Sequence, residues 1–169
     1  MTPLMIRTAK VKDVSSIVKI RLAALSEEEI RGFSAPEFTV TYSSDEELRK
    51  VWSRGNRLKD GCQVFVGEDD GKMVGFIVIK IERDCGYIDN IVVAKEEQGK
   101  GTGRALVAYV EDMAKSRSCN LMKTDTTENA EGGPWKSYRF WTRLGYEDTG
   151  ERLPTKYDFK EIPLIKRLK

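Results

Sequence analysis

Histidine is absent from the whole sequence. The side chain that most often moves protons near neutral pH is therefore missing, and that work falls to Asp, Glu, Tyr, Cys, Lys or water. Cysteine is scarce and odd in number: Cys62, Cys85 and Cys119 are widely separated, and none belongs to a C-x-x-C pair. A disulfide framework and a metal site are not expected, and a reducing cytoplasm is the expected setting. No run approaches the roughly 18 apolar residues of a membrane span. The opening MTPLMIRTAK also lacks the apolar core of a secretory signal, so no membrane association is expected. An excess of one charge is missing too, with 29 basic against 27 acidic residues. Net charge gives no reason to expect a nucleic-acid partner.

What is present suits one core. The 169 residues, 40% of them hydrophobic, are read as one domain, 1–169. MIRTAKV is a short strand candidate, and Asp13 caps a helix marked by Val14, Ile17, Val18, Leu22 and Leu25. Ser44-Asp45-Glu46-Glu47 is a capping box that opens a second helix through Leu48, Val51 and Trp52, with Gly55 at its end. Three β-rich runs follow, Gln63 to Glu68, Met73 to Ile81 and Tyr87 to Val93, separated by EDDGK and ERDCG and read as an antiparallel meander. Leu106, Tyr109, Val110 and Met113 mark a third helix, and NLMKTDT a further strand. Pro134 as a first helical residue and Gly145 just past the end bracket a short aromatic helix. YEDTGER and KYDFKEIPLIKRL close the chain as a pair of strands. The helix between the fourth and fifth strands makes those two parallel by a crossover in an otherwise mostly antiparallel sheet.

The chemistry concentrates in EEQGKGTGRAL, residues 96–106. A strand that ends in a glycine turn and feeds a helix leaves first-turn N–H groups aimed at one place, backed by the positive end of the helix dipole. Gly99, Gly101 and Gly103 permit unusual dihedrals and let backbone approach a pyrophosphate. Lys100 and Arg104 add positive charge at the rim. The segment is no Walker A motif, since no Gly-Lys-Ser/Thr closes it, and no Rossmann fingerprint. A glycine-softened surface loop is the alternative reading.

VVAKEEQGKGTGRALV resembles the acetyl-CoA signature of the GNAT superfamily of N-acetyltransferases, [Q/R]-x-x-G-x-[G/A] after a strand, with Gln98, Gly101 and Gly103 at its defined positions. The element order resembles the family's order, and FWTRLGY resembles its late F-Y-x-x-x-G-F segment. The resemblance implies an α/β (α+β) GNAT fold. That fold is a mixed, mostly antiparallel twisted sheet of six to seven strands flanked by about four helices, with a splayed parallel pair of central strands forming the CoA cleft. It implies acetyl-CoA as co-substrate, with the amides of Gly99, Lys100, Gly101, Thr102, Gly103 and Arg104 holding the pyrophosphate. Backbone groups of Ile91, Val92 and Val93 would pair with the pantetheine arm like an added strand.

An amine near pKa 10.4 is about 3.4 units from deprotonation at pH 7, roughly 4.6 kcal/mol unassisted. A carboxylate facing the acceptor is the usual remedy. Alternation places Tyr87, Asp89, Ile91 and Val93 on one face. Asp89 lies where polyamine acetyltransferases of the family carry an acidic residue, which makes it the first candidate for recognising and deprotonating the amine. An exposed strand carboxylate paired with a neighbouring cation is its other reading. Glu82 and Asp84, at the preceding strand's end, are weaker candidates, read first as turn residues. Some histone-type members carry their glutamate two positions earlier, where this chain has Tyr87. In many members the tyrosine of F-Y-x-x-x-G-F protonates the leaving thiolate, but Trp141 stands there, and indole is no acid near neutral pH. Tyr138 one turn earlier substitutes, water protonates the thiolate, or Trp141 packs against the pantetheine or in the core. Asn129 is a candidate pantetheine ligand, although AEGGPWK lengthens its spacing to the helix, and a turn asparagine reads equally well.

The connection holding Glu27, Glu28, Glu29 and Glu37 with Phe33 and Phe38 is read as an acidic, partly aromatic lip for a cationic amine, or as a solvated charge run. The expected activity is direct acetyl transfer to a primary amine, a small cationic amine such as a polyamine first. A protein N-terminal or lysine amine, and a non-catalytic acyl-CoA-binding module, are the alternatives. A homodimer is possible, with EIPLIKRLK offering an edge that Pro163 interrupts.

Overall fold

The computed structural model describes residues 3–24, 42 and 44–169. The acidic connection of Glu27–Glu29 and Glu37 lies outside them. The chain forms two compact units, Met1–Lys80 with Asn90–Val110 and Ile81–Asp89 with Glu111–Lys169.

In the first unit, β1 (Met5–Thr8) pairs antiparallel with β4 (Gln63–Asp69). β4 turns through Asp70 and Gly71, both at positive φ, into antiparallel β5 (Lys72–Glu82). Two positive φ values in a two-residue loop match the right-handed twist of the flanking strands. Helix α1 (Val14–Ala24) buries Val14, Ile17 and Val18 in a core with Leu48, Val66, Phe76 and Val78, while Leu22 stays exposed. Asp13 does not cap this helix as expected; it closes the 3-10 turn Val11–Asp13 that precedes it. Its carboxylate accepts from the Lys10 N–H and takes two bonds from Arg7, whose guanidinium also grips Glu68. In α2 (Asp45–Val51) the Ser44 hydroxyl accepts from the Glu47 N–H, the predicted cap.

That helix ends sooner than its apolar spacing predicts. Trp52 is extended and opens β2 (Trp52–Arg54), which turns at Gly55 (φ +58°) into β3 (Arg57–Leu58). The indole N–H donates to the Gly55 carbonyl at 2.9 Å, so the aromatic ring pins a hairpin rather than extending a helix.

The second unit is mixed. β6 (Cys85–Val93) and β7 (Leu121–Glu128) run parallel, joined through α3 (Thr102–Ser116). β10 (Lys160–Arg167) lies antiparallel to β7 along its whole length, and its other edge takes the short β8 (Glu147–Asp148) and β9 (Leu153–Pro154). The parallel pair is the predicted one. The strand count exceeds the expected six to seven because four elements of two or three residues, β2, β3, β8 and β9, carry too little periodicity to read. Four α-helices occur among the described residues, the last being α4 (Lys136–Arg143).

Two proline expectations change. Pro163 sits inside β10 opposite Asp125, and its carbonyl accepts from the Thr149 N–H. A strand residue points its N and its carbonyl to the same edge, so the missing donor faces the short strands rather than β7, and pairing with β7 continues. β10 thus has β7 along one edge and, among the described residues, the short β8 and β9 on the other. Pro134 is not the first residue of α4: Trp135 is its extended N-cap, and Pro134 bridges back to Glu128. Gly145, at φ +92°, closes the helix as expected.

Candidate active site

In the first unit the C-terminal end of β6 is held tightly. The Ala94 N–H donates to the Val74 carbonyl at 2.8 Å, and a Cβ added at Gly75 would meet the Val92 carbonyl oxygen at 2.8 Å. Only glycine admits that approach. Val92 is thereby buried, with Ile91 and Val93 half-buried on the opposite side. The parallel ladder between β6 and β7 stops at the Tyr87–Lys123 pair, well before either strand ends.

A 3-10 turn at Lys95–Glu97 leads to Gln98, whose side-chain amide donates to the Val93 carbonyl at 3.1 Å and clamps the loop to the strand. Gly99 and Gly101 then take φ +81° and +90°, values that side-chain-bearing residues rarely adopt, with nothing within 4 Å of an added Cβ. The first intrahelical bond of α3 runs from the Ala105 N–H to the Gly101 carbonyl. Helix geometry leaves the N–H groups of Thr102, Gly103 and Arg104 with no carbonyl inside the helix, at the positive end of a 15-residue dipole. Lys100 is an exposed partner of Glu97 at 3.6 Å, and no ion pair is recorded for Arg104 among the described residues. Chemically, such an arrangement of backbone donors at a helix N-terminus suits an anion.

The second unit carries the acidic chemistry. Tyr87 and Asp89 share one face of β6; Asp89 is exposed and Tyr87 half-buried. The Tyr87 hydroxyl donates to Asp125 Oδ2 on β7. Register explains the meeting: Tyr87 stands opposite Lys123, and Asp125 is the next residue on that side of β7. Burial pushes the Asp125 carboxyl above the usual range, with the Tyr87 bond acting against it. Glu161 on β10 is also raised, by burial first and then by Asp125. Tyr87 is driven far up by burial and by Asp125, with smaller contributions from Asp89 and Glu161. The sequence signals Asp89 but not Asp125 or Glu161, because their partners lie far away along the chain.

The remaining predicted residues have local duties. Asn129 Oδ1 accepts from the N–H groups of Glu131 and Gly133, at 3.2 and 2.8 Å, and so folds its own turn. Trp141 is 3% exposed and lies edge-on between Phe140 and Tyr146, in the packing arrangement of a core tryptophan. The Tyr138 hydroxyl donates to Asp148 at 3.1 Å, and that carboxylate raises its pKa, so it gives up its proton less readily. Asp148 in turn is gripped by Arg152, which also bonds Glu128, and is pulled down to about 2.

A family model described as the acetyltransferase (GNAT) family matches residues 23–146. An uncharacterised N-acetyltransferase of Methanocaldococcus jannaschii is 31% identical over 102 residues, 60% of this chain and 62% of that protein. Glucosamine 6-phosphate N-acetyltransferase of Trypanosoma brucei brucei is 26% identical over 107 residues, 59% of this chain and 68% of that protein. Among solved structures, an acetyltransferase of the GNAT family from Desulfovibrio desulfuricans aligns with a TM-score of 0.75 at 18% identity, covering 99% of this chain and all of that one. The PaiA N-acetyltransferase of Thermoplasma acidophilum, solved with coenzyme A, aligns with a TM-score of 0.69 at 14% identity, covering 98% and 99% of the two chains. These structural matches show the shared fold.

Proposed function

The chain belongs to the GNAT acetyltransferase family, acetyl-CoA-dependent N-acetyltransferases, and from that premise we propose direct acetyl transfer to the primary amine of a small cationic acceptor such as a polyamine. The observation that carries the acceptor class is the acidic face of the second unit, where Tyr87, Asp89, Asp125 and Glu161 influence one another. A phosphate-bearing amine, the acceptor named for the trypanosomal relative, would meet repulsion there.

The cradle fits acetyl-CoA on its own features: two glycines at left-handed φ and three first-turn amides without intrahelical partners. In the proposed complex the backbone of Gly99–Arg104 holds the pyrophosphate, Lys100 and Arg104 add charge at its rim, and Ile91–Val93 pair with the pantetheine. Asp89 receives the acceptor's ammonium group. The thiolate is protonated without Tyr138, whose hydroxyl is engaged by Asp148.

Thiol release from acetyl-CoA, measured with spermidine, an aminoglycoside, a peptide amine and glucosamine 6-phosphate, tests the reading. Turnover should be best with spermidine or the aminoglycoside. Preference for glucosamine 6-phosphate would overturn the acceptor class, and tight acetyl-CoA binding without turnover on any amine would overturn the transferase reading.

A further inference from the structure

We propose that Tyr87 and Asp125 form the proton relay of this transferase: the Tyr87 oxygen takes a proton from the acceptor's ammonium group as the phenolic proton passes to Asp125. The inference rests on the transferase reading above and adds the route by which the acceptor is deprotonated.

The direction of one hydrogen bond is the starting point. Because the Tyr87 hydroxyl donates to Asp125 Oδ2, its oxygen has only lone pairs left to offer, and what it can bind is a donor such as an ammonium N–H. Asp89 stands two residues on along the same face of β6 and is exposed, which suits it to attract the cation. A proton passed on to Asp125 never requires a long-lived phenolate, which the surroundings of Tyr87 strongly disfavour. Asp125 is a suitable terminus, since burial makes it a better base than a solvated carboxylate.

The titratable groups around the pair on these strands are Cys85 and Asp89 on β6, Lys123 on β7 and Glu161 on β10. Asp89 and Glu161 favour a proton within the pair, whereas Lys123 is exposed. The balance is complete. One ammonium proton goes through Tyr87 to Asp125, the amine nitrogen bonds the acetyl carbon, and the carbon–sulfur bond breaks. A second nitrogen proton neutralises the departing thiolate, and Asp125 later releases its own proton to water.

The test compares the intact enzyme with Asp125→Asn, Tyr87→Phe and Asp125→Glu, using acetyl-CoA and spermidine across the neutral pH range. Asp125→Asn should lower kcat roughly 100-fold and abolish the acid limb of the profile, with KM for acetyl-CoA unchanged. Tyr87→Phe should lower kcat roughly 10-fold and shift the limb, and Asp125→Glu should restore part of the rate. Carbon NMR titration of the Asp125 carboxyl in the unmodified protein is independent of any variant and should show a pKa above the ordinary carboxylate range. An ordinary Asp125 titration, or full turnover with an unchanged acid limb in Asp125→Asn, overturns the relay alone. Acetyl-CoA binding without turnover on any amine overturns the transferase reading first and takes the relay with it.

Discussion

The cradle at Gln98–Arg104 is built by neighbours in the chain, whereas Tyr87 and Asp125 stand on different strands and meet only through the register of a parallel pair. The first is a backbone site: its donors are amides and its shape comes from glycine dihedrals, with the Gln98 side chain as a clamp. The second is a side-chain site, in which partial burial and like charges set the protonation of each member. A donor substrate with a constant pyrophosphate suits the first design. An acceptor that must lose a proton needs the second.

The largest expected effect comes from spoiling the backbone. Gly101→Val places a β-branched residue at φ +90°. The strain costs about 1–2 kcal/mol, and one misplaced amide adds about 1 kcal/mol. Acetyl-CoA affinity should therefore fall roughly 100-fold by calorimetry. The titration of Asp125 should not change. If it moves with Gly101→Val, the two sites are not separable and the contrast fails.

The complementary break is Asp89→Asn. Removing one charge that faces the ammonium should cost roughly 10-fold in kcat/KM for spermidine. The loss should narrow as salt is added, because an exposed charge is screened. Acetyl-CoA binding should stay as in the unmodified protein. Unchanged spermidine kinetics would leave Asp89 as an ordinary strand carboxylate.

This contrast also explains what could be read from the sequence. The glycine loop was legible because it lies within one short stretch: Gly99 and Gly101 take the unusual dihedrals expected of them, whereas Gly103 is ordinary helix. The Ser44 cap was legible for the same reason. Tyr87 looked like the loss of a carboxylate, because the one it uses comes from position 125, and no local pattern pairs a strand residue with a crossover partner. The hairpin at Trp52–Leu58 was hidden by apolar spacing that fits a helix as well as a strand, until the indole bond to Gly55 decides between them. Pro163 misled because the edge that its missing N–H faces cannot be known before β8 and β9 are placed.

A stability measurement sharpens the comparison inside the second unit. Asp125 and Asp148 are shifted in opposite directions, the first up by burial and the second down to about 2 by Arg152. A carboxyl raised in the fold binds its proton more tightly there than in the unfolded chain, so ionising it at higher pH opposes folding. Asp125→Asn should accordingly melt at a higher temperature than the parent at about pH 8, and the difference should shrink as the pH approaches 4. Asp148 behaves the other way. Its contribution is present above about pH 4 and is lost as the pH falls toward 2, and Arg152→Ala should remove that acid-sensitive component. A melting point for Asp125→Asn below the parent's at every pH would mean that Asp125 supports the fold rather than serving the reaction.

The smallest effects belong to the cradle's rim, where the two cations are not equivalent. Lys100 already has Glu97 at 3.6 Å and is 63% exposed, so a pyrophosphate would have to share it with a standing partner and compete with water for it. Arg104 lies in the first turn of α3, carries no recorded ion pair among the described residues, and adds its charge beside the orphan amides. Arg104→Gln should therefore weaken acetyl-CoA binding roughly 3-fold, and Lys100→Gln by less than about 2-fold, both effects fading in high salt. Removing Glu97 frees Lys100 for the ligand, so in a Glu97→Gln background the Lys100→Gln loss should rise to about the Arg104 value. If Lys100→Gln costs as much with Glu97 present as without it, the ion pair does not restrain Lys100, and the rim acts as undifferentiated positive charge.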